Sequence, residues 1–362
     1  MSNKIAARKS AQLKCVRLEP RRLLSGTVVA SLFGDVLQLW GDQEDNQIEI
    51  TQDGEDLVVA GFADTQIEFE GQSQSSVTLD GAASSLSNLV GFFDSGDDSF
   101  VIRPGFRFDG HVAIFMQSGN DSVGFDQSEI ARGSHIDLGT GNDELALRDS
   151  AVDRRFSVLG LSGDDTIGID NSSFESTSFV LGSGNDSFSI EASNFDRSVF
   201  VFGHSGSDDI AISDTLIGSD LFVFAGSGSD LVSVNGSEVD DAFLFMGSGD
   251  DIVEVDQNAN SFFVFGGSGN DEVTANTQGT RLTRSVESTT QPSDVQTRID
   301  QSDGLVVRVE QAFTVFDPPD SVGPLTLELQ SSAPVIESND LLLTDLSIFA
   351  ASGETAANAS IE

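Results

Sequence analysis

The chain has 362 residues and a formal charge of −41, because 18 lysine and arginine residues stand against 59 aspartate and glutamate residues. A surface this acidic repels phosphate backbones, which proteins bind through lysine and arginine, so the composition excludes nucleic acid as a partner. No stretch reaches the ~18 apolar residues of a membrane-spanning helix. Cys15 is the only cysteine, so no internal disulfide can form.

Residues 1–25 form a basic leader. Residues 1–22 hold seven bases and one acid, which leaves 11 bases and 58 acids, a charge of 11 − 58 = −47, for the rest of the chain. Residues 18–25, LEPRRLLS, resemble the LEPR-XLL amino-terminal region of large repeat-bearing surface proteins of planctomycete-type bacteria. That resemblance implies an extracellular or cell-surface location and says nothing of activity. Whether the leader is cleaved stays open.

Residues 26–75 predict an antiparallel β cap. Apolar and polar residues alternate there, and Asp53-Gly54 separates two strand-like runs, which is typical of a hairpin. We expect Trp40 in the core of this cap and the first coil of a solenoid near Ser76. Solenoids need caps because an open end is an unpaired sheet edge.

Residues 76–280 carry one glycine-rich turn nine times. The final aspartates of the nine turns are separated by 23, 22, 22, 21, 22, 22, 21 and 20 residues. A fixed period of this length is typical of a solenoid, in which each repeat buries its apolar residues by stacking on its neighbours. The nine aspartates are Asp98, Asp121, Asp143, Asp165, Asp186, Asp208, Asp230, Asp251 and Asp271.

Each repeat predicts two or three short strands. Apolar residues occur two and four positions after each aspartate, as at Phe188 and Ile190, and a second apolar run precedes the next turn. Alternation of this kind indicates a strand with one side in a core. We therefore predict an all-β fold, a parallel β-helix of about nine coils. The strings 160–163 and 203–206 predict one-residue bulges in the corner, with His204 as a surface insertion.

Stacking in register would place the nine aspartates in a file at about 4.8 Å. Two unit charges about 5 Å apart repel by roughly 0.8 kcal/mol in water and about 3 kcal/mol at an effective dielectric constant of 20. The file therefore needs a remedy, which is exposure to water, N–H bonds from the glycine-rich turn, or Ca²⁺, which prefers oxygen ligands.

The turn resembles the RTX nonapeptide GGxGxDxUx, which residues 266–273, GGSGNDEV, match throughout. This resemblance implies calcium as cofactor, with the nine aspartates as its ligands. Here, however, one turn recurs about every 22 residues, whereas RTX motifs recur every nine. The alternative is that these aspartates only cap tight turns through hydrogen bonds to the backbone. The sequence leaves both interpretations open, with a lean to metal because Asp97, Asp164 and Asp250 add an acid before the aspartate.

The apolar run before the turn becomes apolar on both sides of the strand in the late coils. Phe222, Phe224 and Phe245 lie on one side and Val223 and Leu244 on the other. Strands with this pattern are covered on both sides. We expect residues 305–345 to fold back over the outward phenylalanines. The alternative is an exposed patch for self-association or docking.

Residues 281–345 predict carboxyl-terminal strands or a cap, and residues 346–362 a disordered tail. The function predicted is that of a secreted or cell-surface, noncatalytic β-solenoid with calcium binding and a structural or adhesive role. Its candidate partners are calcium ions, surface polysaccharide and a second copy of the chain. The alternative is a β-helix polysaccharide lyase or hydrolase, for which the neighbourhood of Arg154, Arg155 and Arg197 is the best candidate.

Overall fold

The computed structural model describes residues 26–275 and five later strands, and the side chains of residues 257–261 and of the five later strands are not described. The predicted leader (1–25) and tail (346–362) lie outside the described residues. Within the described part of the chain, no helix is long and apolar enough to cross a membrane.

The amino-terminal elements precede the regular repeats. They are β1 (Thr27–Phe33), β2 (Val36–Trp40), β3 (Gln47–Asp53), β4 (Asp56–Gly61), β5 (Gln66–Phe69), β6 (Gln72–Gln74), β7 (Ser76–Leu79), the helix α1 (Ala82–Ser85) and β8 (Asn88–Phe92). Four pairs, β1 with β2, β3 with β4, β4 with β7 and β5 with β6, are antiparallel. Antiparallel pairing was predicted for this region.

The strands of the repeats follow one another at short intervals. They are β9 (Ser99–Ile102), β10 (Arg107–Phe108), β11 (His111–Phe115), β12 (Ser122–Asp126), β13 (Glu129–Ile130), β14 (Gly133–Asp137), β15 (Glu144–Arg148), β16 (Ala151–Leu159), β17 (Thr166–Asp170), β18 (Ser173–Ser183), β19 (Ser187–Glu191), β20 (Asn194–Phe195), β21 (Val199–Ser205), β22 (Asp209–Ser213), β23 (Leu216–Ile217), β24 (Leu221–Ser227), β25 (Leu231–Ser248), β26 (Ile252–Ser268) and β27 (Glu272–Ala275).

The later strands are β28 (Thr280–Arg284), β29 (Ser288–Thr290), β30 (Thr297–Ile299), β31 (Leu305–Gln311) and β32 (Leu325–Ser331). β28, β29 and β30 continue the parallel stacking of β26 and β27, so the stack extends beyond the boundary predicted at residue 280. β31 and β32 pair with each other in a separate antiparallel sheet.

The repeats form a parallel β-solenoid of about eight turns with a spacing of about 22 residues, which confirms the predicted architecture. The nine aspartate corners enclose eight full turns. Each coil contributes to three parallel sheets. The first sheet contains the strands that follow the aspartate, such as β19 and β22, the second the two-residue strands such as β20 and β23, and the third the strands that precede the next corner, such as β21 and β24. The long strands β16, β18, β25 and β26 run through more than one sheet.

The core lies between the three sheets and runs the length of the stack. In the first sheet Phe188, Ile210 and Val232 are register neighbours, and each is at most 1% exposed. They point inward as the alternation predicted, because residues two and four positions after the aspartate share one side of the strand.

The parallel stack begins earlier than predicted. β2 is parallel to β8 and β3 is parallel to β9, so these strands already belong to the third and first sheets. The prediction that coils begin near Ser76 is therefore wrong. The antiparallel strands between β3 and β8 lengthen the interval between the first and second corners to 52 residues. Because this interval is longer than the others, the first repeat cannot be recognised by its period.

Trp40 does not lie in the core of the cap. Leu37 and Leu39 of β2 point inward, so alternation turns Trp40 outward, where it is 46% exposed. Its ring stacks on Phe92 with centroids 4.5 Å apart, and Phe92 stacks on Phe115 at 4.9 Å.

Glycine is required two residues before each corner aspartate. Gly206 has a φ of 133°, and a Cβ there would overlap the carbonyl oxygen of Gly184 in the preceding coil. The same close approach recurs at Gly228, where a Cβ would overlap the carbonyl oxygen of Gly206. The spacing of the coils, and not the turn alone, therefore excludes a side chain.

The one-residue bulges predicted at 160–163 and 203–206 are wrong. Leu161 and His204 lie four residues before the aspartate, where five other coils have glycine, and His204 is the register partner of Gly182. Both adopt the left-handed conformation of that position, with φ of 69° and 71°. His204 is exposed, as expected, but it is a regular member of the corner.

We predict that Gly206→Ala lowers the free energy of unfolding by at least about 1–3 kcal/mol, the cost of one strained backbone position. The matched control is Gly168→Ala, since a Cβ there would first meet Ser189 Oγ at 3.7 Å. Gly168→Ala should be neutral or slightly stabilising because alanine is favoured over glycine in a strand. Urea unfolding of both variants measures the difference. Equal stability would contradict close stacking of the corners.

Candidate functional site

The nine predicted aspartates all lie at the corner between the third and first sheets, and all are buried. Each is 1% or 2% exposed. Neighbouring coils pair in parallel on either side of this corner, so equivalent aspartates follow one another along the axis. The structure thus brings together the complete predicted set. We call this set the aspartate file.

Each carboxylate of the aspartate file accepts a hydrogen bond from the preceding coil. The backbone N–H of Asp186 donates to Oδ1 of Asp208 at 2.9 Å, and that of Asp208 donates to Oδ1 of Asp230 at 2.9 Å. The same bond joins every adjacent pair of the file, with distances from 2.7 to 3.2 Å. The bonds therefore link coils, whereas the sequence suggested bonds within one turn.

The file has one more rung at its amino-terminal end. Asn46 is fully buried, and its backbone N–H donates to Oδ1 of Asp98 at 2.6 Å. It occupies the position of the aspartate in the first corner. This corner could not be recognised in the sequence for two reasons. It has an amide where the others have a carboxylate, and it has Glu44 and Asp45 where the others have a glycine-rich string.

The second oxygen of these carboxylates has no hydrogen-bond partner within the described part of the chain. This is true of Oδ2 in Asp98, Asp121, Asp143, Asp165, Asp186, Asp208, Asp230 and Asp251, and each of these atoms is buried. A buried polar atom without a partner costs about 1–3 kcal/mol. Eight such atoms in one row are a systematic feature, and a proton, a cation or an ordered water molecule would satisfy them.

Burial raises the pKa of these carboxyls despite the opposing effect of the N–H bonds. The pKa of Asp121, Asp165 and Asp208 rises to about 7. The pKa of Asp98, Asp143 and Asp251 rises to about 6, and the pKa of Asp186 and Asp230 is also raised. Desolvation is the largest cause throughout, and repulsion from neighbouring carboxylates adds to it in most of them.

The residues that precede these aspartates form a second, exposed ladder of opposite direction. The N–H of Asn142 donates to Oδ1 of Asn120 at 2.9 Å, and the N–H of Asn185 donates to Oδ1 of Asp164 at 2.7 Å. The N–H of Asn270 donates to Oδ1 of Asp250 at 2.9 Å. The acidic neighbours that favoured a metal in the sequence therefore lie on the outside and serve this ladder.

The corner between the first and second sheets holds a ladder of hydroxyl groups, which our sequence analysis missed. Its members lie seven residues after the corner aspartates. The N–H of Ser150 donates to Ser172 Oγ at 3.1 Å, and Ser172 Oγ itself donates to the carbonyl of Asp170 at 2.8 Å. Each hydroxyl from Ser150 to Ser237 thus both accepts and donates. The ladder comprises Ser128, Ser150, Ser172, Ser193, Thr215 and Ser237.

The two buried ladders differ in one respect that bears on function. A hydroxyl is sufficient to accept the N–H of the preceding coil and leaves no unused oxygen. The aspartate file performs the same backbone bonding and adds one buried oxygen without a hydrogen-bond partner in each of the eight coils from Asp98 to Asp251. Backbone bonding alone therefore does not explain why this corner uses carboxylates.

Cation binding here would depend on few carboxylates at a time. Among the residues that the structure describes, no group of three or more histidine, cysteine, aspartate or glutamate side chains could hold a metal ion. Calcium takes six to eight oxygen ligands, so most would have to be backbone carbonyls or water. The unpartnered Oδ2 atoms fit the role of the protein carboxylate ligands.

One of the three arginines suggested for an enzymatic site forms an ion pair, and the other two lie in or beside the third sheet. Arg197 pairs with Glu175 at 3.2 Å on the surface. Arg155 lies in the third sheet, in register with Gly133 and Ser176. Arg154 adopts a left-handed backbone conformation beside it, with φ of 68°.

Comparisons of the chain with protein-family models, with curated proteins and with solved structures found no match.

We predict that the metal-free protein becomes less stable as the pH rises from about 4 to 8. The folded-state pKa of Asp208 is raised to about 7, whereas the ordinary value is 3.8, so the folded state holds its proton more tightly. Its favourable contribution is complete below pH 4 and is lost as the pH passes through 7. Thermal unfolding in EDTA at several pH values measures this.

Repulsion among the many exposed acids also lowers stability as the pH rises. The slope of stability against pH therefore needs a matched control. Asp208→Asn removes the titrating group and should flatten the dependence. Asp209→Asn removes the same charge from the exposed neighbouring position and should leave it nearly unchanged. Identical slopes in the two variants would refute a raised pKa at Asp208.

Proposed function

We propose that this chain is a noncatalytic, extracellular or cell-surface β-solenoid with a structural or adhesive role, and that calcium ions along the aspartate file stabilise it. The observation that supports this is the row of buried, unpartnered Oδ2 atoms, repeated coil after coil. A repeated site suits a scaffold, because an active site is normally built once and a stabilising contact can recur at every layer.

At neutral pH, calcium would offset the free-energy cost of burying these carboxylates better than protons do. With pKa values of about 6 to 7, much of the file ionises near pH 7, and each ionised carboxylate keeps one buried oxygen without a partner. Calcium supplies positive charge to such oxygens. The residues that would hold it are the nine aspartates of the file, together with backbone carbonyl groups of the corner.

A cation in the file would relieve local repulsion without neutralising the molecule. Eight intervals lie between nine aspartates, so eight divalent ions would change the charge of −47 outside the leader by +16, to −31. The remaining charge would lie on the surface, which favours solubility and disfavours binding of anionic polymers.

The lyase or hydrolase alternative receives no support from the paired acids. Asp164 and Asp165 lie in different ladders, since Asp164 is exposed and accepts the N–H of Asn185 whereas Asp165 is buried and accepts the N–H of Asp143. Asp165 is only 2% exposed, so a substrate at the surface would meet Asp164 without its predicted partner. We therefore favour the scaffold.

We predict that calcium at a hundredfold excess over its Kd raises the Tm at pH 7.5 relative to EDTA. One site contributes about 2.7 kcal/mol under these conditions, which corresponds to roughly 5–10 °C for a domain of this size. The double variant Asp186→Asn, Asp208→Asn should lose most of the local gain. In EDTA it should be at least as stable as the parent, because the amide keeps the Oδ1 acceptor and removes a buried charge.

The matched control is Asp170→Asn, Asp209→Asn, which removes two exposed carboxylates. It should keep the full response to calcium. Calorimetric titration of all three proteins with CaCl₂, and with MgCl₂ for selectivity, gives stoichiometry and affinity. Equal Tm values in EDTA and in excess calcium would show that the aspartates serve only as acceptors for backbone N–H groups.

A further inference from the structure

The outward side of the third sheet carries two files of stacked phenylalanines in the late coils. Successive rings lie nearly parallel, with interplanar angles of 4° to 6° and centroids 4.8 to 5.1 Å apart. The first file is Phe200, Phe222, Phe243 and Phe263, and the second is Phe202, Phe224, Phe245 and Phe265. We call the two together the phenylalanine face.

The phenylalanine face is separate from the core. Val201, Val223 and Leu244 alternate with these rings along the strands and belong to the central core, whereas Phe200 and Phe222 form a cluster of their own. Phe222 is nevertheless only 4% exposed. The row of outward residues that contains the second file reaches Trp40 at the amino-terminal end of the stack. Trp40 is 46% exposed.

The outward side of the first sheet is built differently. In β19 it carries Ser187, Ser189 and Glu191, all exposed, and in β22 it carries Asp209 and Ser213. Polar residues are the norm for the solvent side of a solenoid, so the phenylalanine face is specific to one sheet. An outward apolar surface of this length marks a place where another element packs.

The geometry of the rings narrows the choice of partner. Each inner ring of a file contacts the ring above and the ring below, so its two flat sides are already occupied. Sugars bind aromatic residues through the flat side of the ring. The phenylalanine face instead presents ring edges in a ribbed plane, which suits aliphatic side chains from another β layer.

The chain contains such a layer. β31 and β32 form an antiparallel hairpin in which Val307 pairs with Leu329 and Val309 pairs with Leu327. Residues 305, 307, 309, 325, 327 and 329 are all aliphatic and share one register face of the hairpin, with Gln311 and Ser331 at its ends. A hairpin with no second layer is marginally stable at best. It therefore needs a surface as much as the phenylalanine face needs a cover.

The connection between the two is short. β30 ends at Ile299 in the third sheet, two strands beyond β26, which carries Phe263 and Phe265. Two strand spacings are about 10 Å, and the six residue steps from Ile299 to Leu305 reach at most about 20 Å. The tether thus keeps the hairpin at high effective concentration beside the phenylalanine face.

We propose that the hairpin of β31 and β32 packs its aliphatic face on the phenylalanine face of the same molecule, as a second layer on the third sheet. This packing closes the apolar surface of the late coils and couples the carboxyl-terminal region to the solenoid. It does not depend on calcium, and its test is made in EDTA.

The test uses a single tryptophan on either side of the hairpin in the full-length chain. In a Trp40→Phe background, Val307→Trp reports on the aliphatic face and Arg308→Trp on the opposite face. We expect acrylamide to quench the tryptophan at position 307 several-fold less than the one at position 308, in protein that sedimentation shows to be monomeric. Equal quenching would overturn the proposal.

A second change identifies the surface on which the hairpin lies. Phe224→Asp in the Val307→Trp protein should raise quenching to the level of Arg308→Trp, and the milder Phe224→Ser should raise it in part. Ser189→Asp, on the outward side of the first sheet, is the control and should have no effect. Circular dichroism checks that each variant retains its β structure.

Two results would assign the phenylalanine face to another occupant. If the tryptophan at position 307 is protected only at concentrations where the protein dimerises, the cover is a second copy of the chain. If Phe224→Asp leaves the protection intact, the hairpin lies elsewhere. Either result overturns packing of the hairpin on its own phenylalanine face.

Discussion

The structure depends on one constraint, which is that coils stack in register at the spacing of a β-sheet. Every residue is followed, one layer along, by the residue at the same position of the next coil. A position is therefore acceptable only if copies of its side chain can coexist in a row. Glycine satisfies this at the corner because the neighbouring carbonyl leaves no room for a Cβ. Serine satisfies it by accepting and donating, and phenylalanine by stacking. Aspartate satisfies it only in part, since one oxygen of each carboxylate from Asp98 to Asp251 has no hydrogen-bond partner in the described chain.

Much of the fold could be predicted because the repeat itself encodes the stack. The constant spacing of the aspartates gave the solenoid, and the apolar residues at Phe188 and Ile190 gave the inward side of the first sheet. The first corner could not be found in this way, because Asn46 replaces the aspartate and an antiparallel excursion lengthens the interval to 52 residues. The bulge assigned to His204 was wrong because a histidine can adopt the left-handed conformation that most coils give to glycine.

For the candidate site, too, the sequence predicted some features and not others. That the aspartates form a file followed from the period alone. That they are buried, and that their N–H bonds come from the neighbouring coil, could not be deduced from spacing, because a corner residue can point inward or outward with the same period. The hydroxyl ladder had a usable signal, since Ser150, Ser172 and Ser193 each lie seven residues after an aspartate. Searching every position of the period for polar as well as apolar recurrence would have found it.

The opposite directions of the two ladders at the aspartate corner have a consequence for the history of the molecule. Between the coils of Asp121 and Asp143, the inner bond runs from the N–H of Asp121 to Asp143, and the outer bond runs back from the N–H of Asn142 to Asn120. At this boundary the two ladders thus exchange one backbone N–H bond in each direction, and the same exchange recurs between the coils of Asp143 and Asp165. Coils that share this exchange present compatible corners to one another, so a gene duplication or deletion of a whole number of such repeats rejoins two corners that can still bond. The length of such a rod can change by unequal recombination without any change in the residues that form its corners.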